Sequence, residues 1–146
     1  IAEDGELCMH GDSIMLGYYK DPEATAEVID ADGWFHTGDL ARKDEDGYYF
    51  LTGRKKNLII LDSGENVSPE ELEGIVGKCE AVKECVVKEM GKKIGVVVYC
   101  DEDKQQQVRD FITEANRTLP LYKRMSAVEF STEPLPRNGA GKLLRQ

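Results

Sequence analysis

The sequence predicts an α+β protein: a small C-terminal domain with a central, mainly antiparallel sheet flanked by helices, preceded by a β-rich piece of another domain. Three observations lead there. Apolar, valine-rich runs at 82–90 and 93–100 flank Gly91-Lys92, the pattern of a hairpin. Val108, Phe111, Ile112, Ala115 and Leu119 recur at helical spacing between Lys104 and Leu119, so one face of that helix is core. The charge balance also switches at Gly53-Arg54-Lys55-Lys56. Residues 1–53 hold 13 acidic and 3 basic side chains, whereas residues 54–146 hold 15 and 16.

The elements follow in chain order. Glu6 to His10 alternates weakly and meets Gly11-Asp12, a short strand into a turn. Asp21-Pro22 opens a short helix through Ile29, with Asp21 as N-cap and Pro22 at the first helical position. Asp32-Gly33 turns the chain into Trp34-Phe35-His36, and Thr37-Gly38-Asp39 is read as a second turn. Leu40–Lys43 and Tyr48–Leu51 form a hairpin through Asp44-Glu45-Asp46-Gly47. Beyond Lys56, Asn57–Leu61 is an apolar β-run and residues 62–66 are a turn. Ser68-Pro69-Glu70-Glu71 is a capping box for a helix to about Lys78. Ala127–Phe130 is a last strand. From Asn57 the order is β-β-α-β-β-α-β.

The 146 residues have room for one ordinary domain, or for a small domain plus a piece of another, and the charge switch favours the second. A net charge of −9 argues against nucleic acid as a main partner, since phosphate backbones are bound by clustered Lys and Arg. Cys8, Cys79, Cys85 and Cys100 contain no C-x-x-C pair and only two histidines accompany them, so reduced thiols are expected and no metal site. No signal peptide and no transmembrane segment is read, and a soluble, cytoplasmic protein is expected. The start at Ile1, close to a strand, suggests a chain cut from something longer.

Four short motifs carry chemistry. Pro134 to Lys142 is a Pro- and Gly-rich loop delivering one lysine, a geometry suited to an anionic substrate. It is not a phosphate-binding loop of the G-x-x-x-x-G-K-[ST] kind, because Pro136 stands at the first glycine and Leu143 at the hydroxyl position. Asp39, just after Gly38 and near Trp34 and Phe35, is a carboxylate able to accept two hydrogen bonds from a vicinal diol such as a ribose. Arg54 offers a rigid fork of donors for phosphate or diol, and Lys56 stands where two domains would join. Gly64, in Ser63-Gly64-Glu65-Asn66, lets a backbone or a slender ligand approach closely. Taken singly, each of these is also what an ordinary solvated turn or tail looks like.

Together they are more specific. The ordered set GELCMHGDSIMLGYYKDPEAT (5–25), GWFHTGDLARKDEDGYYFLTGRKKNLIILDSGENVSPEELE (33–73) and PLPRNGAGKLLR (134–145) resembles the C-terminal part of the adenylate-forming superfamily. That superfamily includes acyl-CoA synthetases, peptide-synthetase adenylation domains and firefly luciferase; the likeness is strongest to a fatty-acid-CoA ligase and covers nearly the whole chain.

The resemblance implies activation of a carboxylic acid with MgATP to an acyl-adenylate and pyrophosphate, then transfer to coenzyme A. It implies that Asp39 binds the ribose hydroxyls of ATP and that Arg54 contacts the nucleotide. Lys142 would bridge the carboxylate and α-phosphate oxygens. Lys56 would be the hinge about which residues 56–146 swing between half-reactions, with residues 1–55 ending the large domain. Gly64 would line the pantetheine tunnel. Asn138 stands where a threonine is common and Met125 where many relatives have proline; neither is expected to touch these roles. The phosphate loop, the magnesium-ligating glutamate and the acyl pocket would lie in the missing N-terminal domain, so the chain alone is expected to make no acyl-adenylate. The alternatives are an adenylation domain that loads a carrier protein and a stand-alone, non-catalytic binding module. Residues 1–52 are expected to be less ordered than 57–133, or covered by a second copy through self-association of their exposed aromatics.

Overall fold

In the computed structural model, which describes residues 1–145, three antiparallel strands in the order β1-β2-β3 make the first sheet: β1 (Glu6–Met9), β2 (Phe35–Lys43) and β3 (Tyr49–Arg54). The chain divides into two compact units, Ile1–Lys56 and Asn57–Gln146. Between β1 and β2 lies helix α1 (Pro22–Val28). Its cap is the expected one: Asp21 Oδ1 accepts the Ala24 N–H at 2.9 Å and proline takes the first turn, where its missing N–H costs nothing. The β2–β3 connection is fixed by Asp44, whose carboxylate accepts the Tyr48 N–H at 2.8 Å, and by Gly47 at φ 91°.

Thr37-Gly38-Asp39 is not a turn. These residues run inside β2, because long-range partners hold them in the sheet: Thr37 Oγ1 donates to the Leu7 carbonyl at 2.7 Å and the Gly38 N–H donates to Glu6 Oε1 at 2.8 Å. Gly38 takes φ 71° without leaving the strand. A register shift between Leu40 and Ala41, which oppose Gly53 and Leu51, marks a β-bulge next to it.

The second unit is built on β6 (Glu84–Met90), β7 (Lys93–Tyr99) and β8 (Ala127–Ser131), with β7 central. β6 and β7 form the predicted hairpin, and Gly91 (φ 57°) with Lys92 (φ 64°) supplies the two left-handed residues such a turn demands. β8, however, runs parallel to β7, because helix α3 (Gln105–Thr118) carries the chain back over the sheet first. Helix α2 (Pro69–Val76) precedes β6. Val67, Leu72, Val76, Val87, Val96, Val98 and Val108 are completely buried, with Ile112 and Met125 nearly so.

Three expectations change in detail. The apolar run 57–61 yields only a two-residue strand, β4 (Ile59–Ile60), paired with β5 (Asn66–Val67), because Lys55–Asn57 form a single 3-10 turn. Helix α2 stops at Val76, two residues short of Lys78. The capping box does not form: the Ser68 hydroxyl donates to Glu70 Oε2 at 3.0 Å and makes no cap bond, while Glu71 is drawn to Lys123 at 2.7 Å. No helix among the described residues is long and apolar enough to cross a membrane.

Candidate functional site

In the first unit the site residues are set by strand register. Asp39 on β2 lies directly opposite Arg54 on β3, and Arg54 Nε stands 2.7 Å from Asp39 Oδ1. The Asp39 backbone N–H donates to Thr37 Oγ1 at 3.1 Å, so the same threonine that ties β2 to β1 also fixes the aspartate. The Asp39 side chain is 24% exposed. With one oxygen on Arg54, the carboxylate keeps acceptor capacity for a diol, and the guanidinium keeps donors at its terminal nitrogens.

The same unit holds a buried carboxylate that the sequence did not single out. Glu6 is 4% exposed, yet it collects the Gly38 N–H, His36 Nδ1 at 3.1 Å and Lys55 Nζ at 3.0 Å. Burial pushes its pKa up, but these partners outweigh burial and hold it below the usual carboxylate range. Hydrogen bonds to Glu6 and Asp30 raise His36 above the ordinary imidazole value, and those to Asp4 and Glu6 raise Lys55. Ligand atoms of Glu6, Cys8 and His36 lie within 4.8 Å of one another, a grouping that cysteine spacing could not reveal. The Lys55 ammonium on Glu6 already supplies the positive charge there, so the cluster is accounted for as an ion-pair network. A lone acidic residue in a weakly alternating strand gives no signal of such a role.

Lys56 is exposed in the 3-10 turn at the boundary of the two units, and its ammonium has no ion pair among the described residues. Gly64 lies in the β4–β5 turn. Its N–H donates to the Leu61 carbonyl at 2.8 Å, its φ is 93°, and a Cβ there would meet nothing within 4 Å. The backbone conformation, not crowding, is what requires glycine.

The terminal loop is more ordered than its composition suggests. Arg137 and Leu143 face each other as a β-bridge, and Asn138 closes the tip by donating its N–H to the Lys142 carbonyl at 2.9 Å. The Asn138 side-chain oxygen accepts the N–H groups of Ala140 (3.0 Å) and Lys142 (2.9 Å), while Gly141 takes φ 76°. Asn138 therefore shapes the backbone of Lys142. Lys142 itself is exposed, and its ammonium has no partner among the described residues. Met125, the other departure, is a buried core residue at 3% exposure.

The structure thus brings Asp39 and Arg54 into contact, while Gly64 and Lys142 stand on separate exposed loops of the second unit and Lys56 on the turn between units.

Residues 56–146 match the family described as AMP-binding enzyme C-terminal domain. The chain is 42% identical to a long-chain-fatty-acid–CoA ligase of Salmonella typhimurium, over 99% of this chain and 26% of the ligase. Among solved structures it resembles the A domain of carboxylic acid reductase from Segniliparus rugosus in complex with AMP and a co-purified carboxylic acid, with TM-score 0.80 and 28% identity over 97% of this chain and 25% of that one. It also resembles the anthranilate CoA ligase AuaEII in complex with anthranoyl-AMP, with TM-score 0.76 and 29% identity over 94% of this chain and 27% of that one. The chain spans about a quarter of the length of the curated relatives it matches.

Proposed function

Since the chain belongs to the AMP-binding enzyme C-terminal domain family, within the adenylate-forming superfamily, we propose that it serves as the C-terminal part of an ATP-dependent acyl-CoA ligase. In this reading the longer enzyme joins a carboxylate to ATP, releases pyrophosphate, and passes the acyl group from the adenylate to coenzyme A. Asp39 holds the ribose hydroxyls with its uncommitted acceptor sites, and Arg54 both orients Asp39 and faces the nucleotide. Lys56 is the hinge, and Gly64 leaves room for the thin pantetheine arm. Magnesium and the acyl chain are held elsewhere in the enzyme; no residue of this chain is assigned to them. The exposed strip Tyr48, Tyr49, Phe50 and Leu51 is assigned to contact with the large domain, or in its absence with a second copy.

The observation that carries the proposal is Lys142: an ammonium with no partner among the described residues, on a hydrogen-bonded loop. Adenylation brings two anions together and builds charge on phosphorus, so a positioned cation lowers that barrier specifically. Thioester formation expels AMP and needs no such contact. In the full-length enzyme, Lys142→Ala is expected to slow carboxylate-dependent pyrophosphate exchange about 10²- to 10³-fold. Thioester formation from supplied acyl-adenylate should stay near the wild-type rate. Equal losses in both half-reactions would refute the assignment. The 146-residue chain by itself is expected to show no pyrophosphate exchange.

A further inference from the structure

Two strand registers explain where the lysine loop is attached. Glu84 opposes Tyr99 across β6 and β7, and Tyr99 opposes Ser131 across β7 and β8, so the three residues form one row across the sheet. Because β8 is parallel to β7, the chain leaves β8 at the same end of the sheet where β6 begins. Four residues later it reaches Glu84. There the Leu135 N–H donates to Glu84 Oε2 at 2.7 Å, and Arg137 Nη2 donates to Glu84 Oε1 at 2.6 Å. The other terminal nitrogen of Arg137 donates to the Gly141 carbonyl at 2.7 Å, the residue immediately before Lys142. Leu135, Pro136 and Leu144 line one hollow with Val86 and Val97, which seats the base of the loop on the sheet.

From this arrangement we infer that Glu84 and Arg137 are positioning residues for Lys142: they clamp the loop to β6 so that its ammonium is presented in one place during adenylation. The inference rests on the reading of Lys142 given above. A lysine on an unclamped Gly-rich loop would spread its charge over many positions, and catalysis by a cation depends on its being in place before the charge develops. The guanidinium suits this task because its planar fork spans a carboxylate on one side and a carbonyl on the other; an ammonium reaches only one of them. Neither residue is assigned a contact with substrate.

The test uses the full-length enzyme with Lys142→Ala, Arg137→Met, Arg137→Lys, Glu84→Gln and the double variant Arg137→Met/Lys142→Ala. Arg137→Met is expected to lower kcat for pyrophosphate exchange roughly 10- to 100-fold, the range for losing charged hydrogen bonds, with KM for ATP within about twofold. Thioester formation from supplied acyl-adenylate should also stay within about twofold. Arg137→Lys should recover part of the loss, and the double variant should be no slower than Lys142→Ala alone. Amide exchange should quicken at Leu135 and Lys142 but not at Val86 or Val96. Should Arg137→Met fold poorly, Glu84→Gln gives the same comparison at nearly unchanged volume. Undiminished adenylation in Arg137→Met beside an inactive Lys142→Ala overturns the clamp alone, as do equal losses in both half-reactions. Undiminished adenylation in Lys142→Ala overturns the reading of the lysine and the clamp with it.

Discussion

At the scale of single residues, the first unit depends on one buried carboxylate, and this gives it a pH signature. The folded-state pKa of His36 is raised by Glu6 and Asp30, so its contribution to stability is complete below about pH 6.5 and is lost as pH rises through the raised value. Glu6 is lowered, so its contribution is present above the ordinary carboxyl range and is lost as pH falls through the lowered value. The unit should therefore be most stable in a mildly acidic window. His36→Gln should flatten the alkaline side of a melting-temperature profile; an unchanged profile in that variant would contradict the network. Gly64 gives a second residue-level expectation. Its surroundings are open but its φ is 93°, so Gly64→Ala should cost about 1 kcal/mol through backbone strain alone, read as a shift in denaturation midpoint. On the proposed role, bulkier Gly64→Val should also slow thioester formation while leaving adenylation near wild type.

At the scale of elements, the β6–β7 hairpin was legible because its turn chemistry is local: two runs rich in valine, a glycine and one further residue. The structure adds that Lys92 is left-handed at φ 64°, which an unbranched side chain tolerates poorly. Lys92→Asn should stabilise the protein by roughly 0.5 kcal/mol, visible as a higher midpoint at unchanged slope, since asparagine accepts that conformation more readily. Elements decided by distant partners were not legible. Thr37-Gly38-Asp39 has the composition of a turn, and distant partners, among them the Leu7 carbonyl and the Glu6 carboxylate some thirty residues earlier in the chain, hold it within the strand. The capping box at Ser68 failed for the same reason, since Lys123 claims Glu71. The Asp39–Arg54 pairing was equally out of reach, because a bulge sets its register.

At the scale of the whole molecule, the charge switch at residues 53–56 coincides with the break between units after Lys56. The large buried cluster, from Ile59 to Met125, belongs entirely to the second unit, whereas Leu40 and Ala41 are the only buried hydrophobics described in the first. Amide protons of β1–β3 should therefore exchange at lower denaturant than those of β6 and β7; equal protection in a monomer would contradict this. The direction of β8 could not be read from the sequence, since apolar periodicity is blind to whether strands run together or opposed. That direction also dictates an order of assembly. β6 and β7 meet across a two-residue turn, while β8 can join only after α3 has brought back a long stretch of chain, a slow closure. In refolding, the ends of the clamp are therefore expected to meet only after β8 docks, which would make the position of Lys142 one of the last features of the molecule to form.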